Sequence, residues 1–216
     1  MIHDFDIAKQ IAKYLLQINA IILQPDNPFT WASGLKSPIY CDNRKTLSFP
    51  DIRNFIRQSL SNAVIKNYKG SNIIAGVATA GIPHGTLVAE ELGLPFIYVR
   101  GKAKKHGKEN KIEGFFEKEQ SVVLIEDLIS TGMSSIEAAD TLKSSGLNVK
   151  GIISIFNYNL DQASKNFQNK EYSFFSLCDY NILLSVAKKY QYINNNDIPI
   201  LENWRANPSK WKPSNS

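Results

Sequence analysis

Two adjacent carboxylates, Glu126 and Asp127, stand at the end of the apolar run Val122–Ile125, and Ser130, Thr131, Gly132 and Ser134 follow directly. Small residues and hydroxyls at a helix start let several backbone N–H groups converge on one oxyanion, and the helix dipole favours the same charge. A Ser-Thr-Gly turn alone would only cap a helix. The lysine and glycine spacing of a Walker loop is missing. The carboxylates repel phosphate but suit sugar hydroxyls, or a magnesium-bound group, beside it. Together the two halves fit a phosphorylated sugar.

Two further segments carry chemistry. Residues 100–111, RGKAKKHGKENK, hold six Lys/Arg, one acid and His106. Such a run is a solvated surface, a nucleic-acid patch or a lid that closes on a polyanion. The aromatic interleaving expected for single strands is absent. Gly101, Gly107 and Gly114 leave the segment free to move, and a closing lid excludes water and brings charge to a leaving group. The second segment, GVATAGIPHG (76–85), permits close backbone approach, so its N–H groups can hold a diphosphate. His84 within it reads as a local structural residue.

The elements that must position these groups form an alternating pattern. An amphipathic helix is predicted over residues 4–23, capped by Asp4 or Asp6, and an irregular stretch over 24–44 includes a short extended piece at Ile39–Cys41. A second helix begins after Ser48, with Pro50 in its first turn and Asp51 at a capping-box position. Strands at 72–77, 95–100, 121–126 and 148–156 alternate with helices at 86–92 and 134–145. Short apolar strands between helices indicate a parallel sheet covered on both faces. EYSFFSL reads as a last strand, and NILLSVAKKY and Leu201–Trp204 as closing helices. Three loops therefore leave the carboxyl ends of the strands, where ligands gather in such sheets: 78–85, 100–114 and 126–134.

Composition narrows the classes. The chain has 216 residues, 43% hydrophobic and 21% charged, which supports a packed core rather than disorder. Cys41 and Cys178 lie far apart, and three scattered histidines make no protein-only metal cluster. No apolar run approaches the roughly 20 residues that cross a bilayer, and the N-terminus is polar and acidic, unlike a signal peptide. A cytoplasmic location, with no membrane partner, is expected. The formal net charge is +5 with a pI near 9.1. The basic loop holds six of the 25 bases and one of the 20 acids, so the rest of the chain is balanced. The excess lies in one loop, which points to a small, highly charged substrate rather than a broad nucleic-acid surface.

VVLIEDLISTGMSS resembles the phosphoribosyl-diphosphate motif of type I phosphoribosyltransferases. RGKAKKHG resembles the catalytic loop of the orotate phosphoribosyltransferases, through Arg100, Lys102, Lys104 and His106, and FTWASGLKSPIY resembles that family's hood over the base. The resemblance covers about residues 5–205. It implies an α/β phosphoribosyltransferase fold in one domain: helix and hood to residue 48, core over 70–180, closing helices and tail over 181–216. It implies a pentosyltransferase of de novo pyrimidine biosynthesis that forms orotidine 5′-phosphate from orotate and phosphoribosyl diphosphate. Lys104, His106 and Asp127 would be catalytic. Glu126 and Asp127 would meet the ribose, Leu128, Ile129, Ser130, Thr131, Gly132, Met133 and Ser134 the 5′-phosphate, and Thr79, Ala80 and Gly81 the diphosphate. Tyr40, Cys41 and Ser130 would hold orotate, with Lys36 and Arg44 as cations for its carboxylate. Mg2+ would ride on the substrate, with no protein metal ligands. A homodimer would share the Arg100–Lys111 loop across subunits. Some relatives carry lysines at the positions of Ala32, Ala80 and Gly101, and those contacts are missing here. A purine phosphoribosyltransferase and an RNA-binding regulator of the same fold remain as alternatives.

Overall fold

The computed structural model describes residues 2, 4–31, 34–101 and 111–213. Along the chain run α1 (Phe5–Gln17), β1 (Ile21–Leu23), β2 (Phe29–Thr30), β3 (Lys36–Ser37), β4 (Ile39–Cys41), a 3-10 turn (Asn43–Ser48), α2 (Pro50–Asn67), β5 (Ile73–Val77), α3 (Gly81–Leu92), β6 (Phe96–Val99), β7 (Ile112–Glu113), β8 (Ser121–Ile129), α4 (Met133–Ser144), β9 (Asn148–Asn157), α5 (Asp161–Asn169), β10 (Phe174–Asp179), α6 (Tyr180–Lys189) and α7 (Asp197–Ala206). Six strands make the central sheet, in the order β10-β9-β8-β5-β6-β7. All neighbours are parallel except β6 and β7. Two antiparallel ribbons, β1/β4 and β2/β3, form the hood beside it.

Alternation along the strands explains the two-faced burial. Ile74, Val123, Ile125, Ile153 and Ile155 join the core that includes α1, α2, α3, α6 and α7. Their strand neighbours Ile73, Val122, Leu124 and Ile152 face the core of α4 and α5. Asp4 caps α1, its carboxylate accepting from the N–H groups of Asp6 and Ile7 at 2.9 and 3.1 Å.

Several boundaries differ from the sequence reading. The helix predicted over 4–23 stops at Gln17, because Asn19 turns left-handed (φ 53°) and Ile21–Leu23 pair with β4. β-Branched Ile21 and Ile22 favour that strand. The capping box at Ser48 and Asp51 does not form: Ser48 closes the 3-10 turn, and Phe49 precedes α2 without a side-chain cap. Helix α3 starts at Gly81 rather than 86. Pro83 falls in its first turn, where no N–H is needed. A Cβ on Gly81 would collide with the Ile125 carbonyl oxygen, so glycine lets α3 lie directly on β8. Strand β8 runs past the acids to Ile129 because β9 continues beside it, with Glu126 opposite Ser154 and Ile129 opposite Asn157. Helix α5 went unrecognised in the sequence: DQASKNFQN buries Ala163 and Phe167, too sparse an apolar stripe to register. No helix among the described residues is long and apolar enough to cross a membrane.

Candidate active site

The acid pair projects from the carboxyl-terminal end of β8. Glu126 is 5% exposed. Its Oε1 accepts the Asp127 N–H at 2.9 Å and its Oε2 accepts the Ser135 hydroxyl at 3.1 Å. Burial pushes the Glu126 carboxyl well above the usual range, and the neighbouring Asp127 charge pushes the same way. Burial also raises Asp127, while the hydrogen bond with Glu126 opposes that rise. Of the pair, Glu126 is pushed the more strongly toward its protonated form.

Beyond β8 the chain turns through Ser130 and Thr131 into α4. Gly132 opens the helix at φ 77°, and no side chain caps it. Among the described residues, no hydrogen bond engages the hydroxyls of Ser130, Thr131 or Ser134, so they and the first N–H groups of α4 stay available to an anion. The turn is held from α5: Asn166 Nδ2 donates to the Thr131 carbonyl at 2.9 Å, and a Cβ on Gly132 would meet Phe167 Cε2 at 2.5 Å.

The other expected residues fall into place unevenly. Thr79, Ala80 and Gly81 form the entry to α3, after a cis Ala78–Thr79 peptide. Arg100 closes the base of the basic loop: its N–H donates to the Lys111 carbonyl at 2.8 Å, and its guanidinium donates to Glu113 at 3.1 Å. Lys102, Lys104 and His106 lie outside the described residues, as does Ala32. The Ile129 side chain is buried in the core, so what it offers a ligand is backbone. Leu128 is partly buried, and Met133 is exposed. Tyr40 packs on Phe29, with ring centroids 5.5 Å apart. The Cys41 thiol, raised by burial and by the Asp127 charge, donates to Asn43 Oδ1 at 3.4 Å. Arg44 is held by the Asp42 carboxylate at 2.6 and 3.1 Å, and Lys36 donates to the Thr30 hydroxyl at 2.8 Å. His84 is buried, with Nε2 unpartnered and its pKa lowered to about 4 by burial, as a structural histidine would be.

Sequence reasoning missed Asn43. It is fully buried, and its Nδ2 donates to the Asp127 backbone carbonyl at 2.7 Å. Strand β5 pairs with β8 only as far as Ile125, so a side chain from the hood supplies a donor beyond that point. Ser135 was missed as well, as the donor to Glu126. A pairing across 84 positions has no local sequence signal.

An acid pair on a parallel strand, Glu126 buried and Asp127 half-buried, running into an uncapped hydroxyl turn, is the layout expected from the resemblance to type I phosphoribosyltransferases. The Phosphoribosyl transferase domain family matches residues 45–182. The orotate phosphoribosyltransferase of Listeria innocua is 49% identical over 205 residues, covering 95% of this chain and 98% of the relative. That of Phocaeicola vulgatus is 50% identical over 204 residues, covering 94% and 96%. The solved UMP synthase of Leishmania donovani is 30% identical with a TM-score of 0.76, over 92% of this chain and 42% of that longer one. The chain belongs to the orotate phosphoribosyltransferase family.

Proposed function

We propose that this chain transfers the 5-phosphoribosyl group of phosphoribosyl diphosphate to N1 of orotate, giving orotidine 5′-phosphate and diphosphate. The observation that carries this reading is the Asn43 amide on the Asp127 carbonyl, which joins the hood to the sugar acids in one bonded unit. A base held under the hood then meets C1 of a ribose held at the strand end.

Each part has a stated task. Asp127 accepts ribose hydroxyls and favours the positive charge that grows on the sugar as diphosphate leaves. Glu126, locked by Ser135 and by the Asp127 N–H, fixes that carboxylate's direction. The turn Ser130–Ser134 binds the 5′-phosphate through N–H groups and hydroxyls. The backbone at Thr79, Ala80 and Gly81 takes the diphosphate from the other side. Arg100, Lys102, Lys104 and His106 supply the positive charge that stabilises the leaving oxygens, as the family resemblance implies. The backbone at Tyr40 and Cys41, with Ser130, holds the pyrimidine. Orotate N1 is acidic enough to need no strong protein base.

Among the described residues no group of three or more His, Cys, Asp or Glu gathers to cage a metal. The paired carboxylate oxygens do suit a hard cation that keeps its waters and rides on substrate oxygens. Mg2+ bound there, beside Asp127, would supply positive charge to the diphosphate. The chain acts as a cytoplasmic homodimer, with the loop 100–111 reaching the partner's site.

The test is diphosphate release from phosphoribosyl diphosphate with each base in turn. Release with orotate, and none with adenine, guanine or hypoxanthine, is the expected outcome. Release with a purine instead would replace this reading with a purine phosphoribosyltransferase.

A further inference from the structure

Orotate is uracil with a carboxylate on C6, beside the nitrogen that reacts. A site selective for it needs a cation near the ends of β8 and β9. The two cations expected from the sequence are engaged elsewhere, Arg44 by Asp42 and Lys36 by Thr30. Arg100 is likewise paired with Glu113.

A cavity of about 410 Å³ opens beside the phosphate turn, lined by Ser130, Thr131, Trp31, Lys165, Arg205 and one acid, Asp161, among others. It joins the hood to the residue expected to touch the base, Ser130. Of its two cations Lys165 is exposed and Arg205 is half-buried. Arg205 follows Trp204, which is fully buried and packs on Trp31 and Tyr158 at 5.6 and 5.7 Å between ring centroids. That packing fixes the end of α7 against the sheet. Arg205 Nη1 donates to the Asn159 carbonyl at 3.0 Å. The Asn159 N–H is in turn held by Asn157 Oδ1 at 2.8 Å, and Asn157 lies opposite Ile129, next to Ser130. One N–H of the guanidinium is thus anchored at the strand end, and its remaining donors have no carboxylate partner among the described residues. A guanidinium fork matches a carboxylate through paired N–H donors.

We infer that Arg205 receives the orotate carboxylate and selects orotate over uracil. This rests on the reading of the chain as an orotate phosphoribosyltransferase and names the specificity residue of that same site. The pair is one charge-assisted contact inside a partly closed cavity, so its loss weakens orotate by about 10- to 100-fold. Uracil has no carboxylate and loses nothing.

The experiment measures orotate and uracil binding by calorimetry for the wild-type chain, Arg205→Gln and Arg205→Lys. Steady-state KM for phosphoribosyl diphosphate and the thermal midpoint are recorded for each. In Arg205→Gln the orotate Kd should rise about 10- to 100-fold, with uracil Kd and KM for phosphoribosyl diphosphate unchanged. Arg205→Lys, which keeps the charge and loses the fork, should fall between. An equal loss for orotate and uracil would show that Arg205 merely holds α7 in place, and unchanged orotate binding would remove it from the site; either result overturns the inference. Failure of the wild-type chain to bind orotate overturns the functional reading itself, a result separate from any Arg205 variant.

Discussion

Replacing Glu126 by glutamine should make the protein more stable at neutral and alkaline pH while lowering its turnover. Glu126 is 5% exposed, and burial is the largest cause of its raised pKa. Between its ordinary value of 4.5 and its raised value in the folded chain, the unfolded chain has released this proton while the folded chain still holds it. The folded state then binds more protons than the unfolded state, so stability falls as pH rises through that interval. A glutamine carries no such penalty. Its oxygen can accept the Asp127 N–H, and its amide can donate to the Ser135 oxygen and the Asp127 carboxylate, so every present partner is kept. Burial of a poorly compensated polar group costs about 1–3 kcal/mol, and a gain of ~2 kcal/mol corresponds to roughly 4–8 °C in a chain of this size. Thermal midpoints of both proteins at about pH 5 and about pH 8 test this, the gain being larger at the higher pH. A lower midpoint for Glu126→Gln at alkaline pH, or a gain independent of pH, would refute the argument that burial strains this carboxyl.

Gly132→Ala should destabilise the chain by about 2–4 kcal/mol, from left-handed strain together with displacement of the Phe167 ring. Urea unfolding measures that loss, and weaker ribose 5-phosphate binding should accompany it. Lys104→Ala should lower kcat by about 100- to 1,000-fold with an unchanged thermal midpoint, as expected for a charge brought to the leaving diphosphate. Wild-type turnover in Lys104→Ala would remove the lid from the mechanism.

Most of the sheet was legible, because its strands are continuous apolar runs buried on both faces. NIIAGV, PFIYVR, SVVLIE and NVKGIISIF each fall on a strand of the central sheet. Boundaries failed where a distant partner decided them. β8 extends through the acids because β9 lies alongside, and α3 begins early because glycine lets it rest on β8. Helix α5 was lost because its exposed face dominates its composition. At the site, Glu126, Asp127 and the hydroxyl turn could be read directly, since strand, acids and turn are consecutive. Asn43 and Ser135 could not, and neither could the position of Arg205. Their significance lies in contacts between segments that only the fold brings together.

The central claim is that one chain holds phosphoribosyl diphosphate at the β8 acids and orotate beneath the hood, and joins them. Phosphoribosylation of N1 changes the ultraviolet absorbance of the pyrimidine, so the loss of orotate absorbance follows the reaction continuously. Addition of phosphoribosyl diphosphate and Mg2+ to the wild-type protein and orotate should bring a steady fall in absorbance with matching release of diphosphate. A flat trace with both substrates and Mg2+ present would contradict the account.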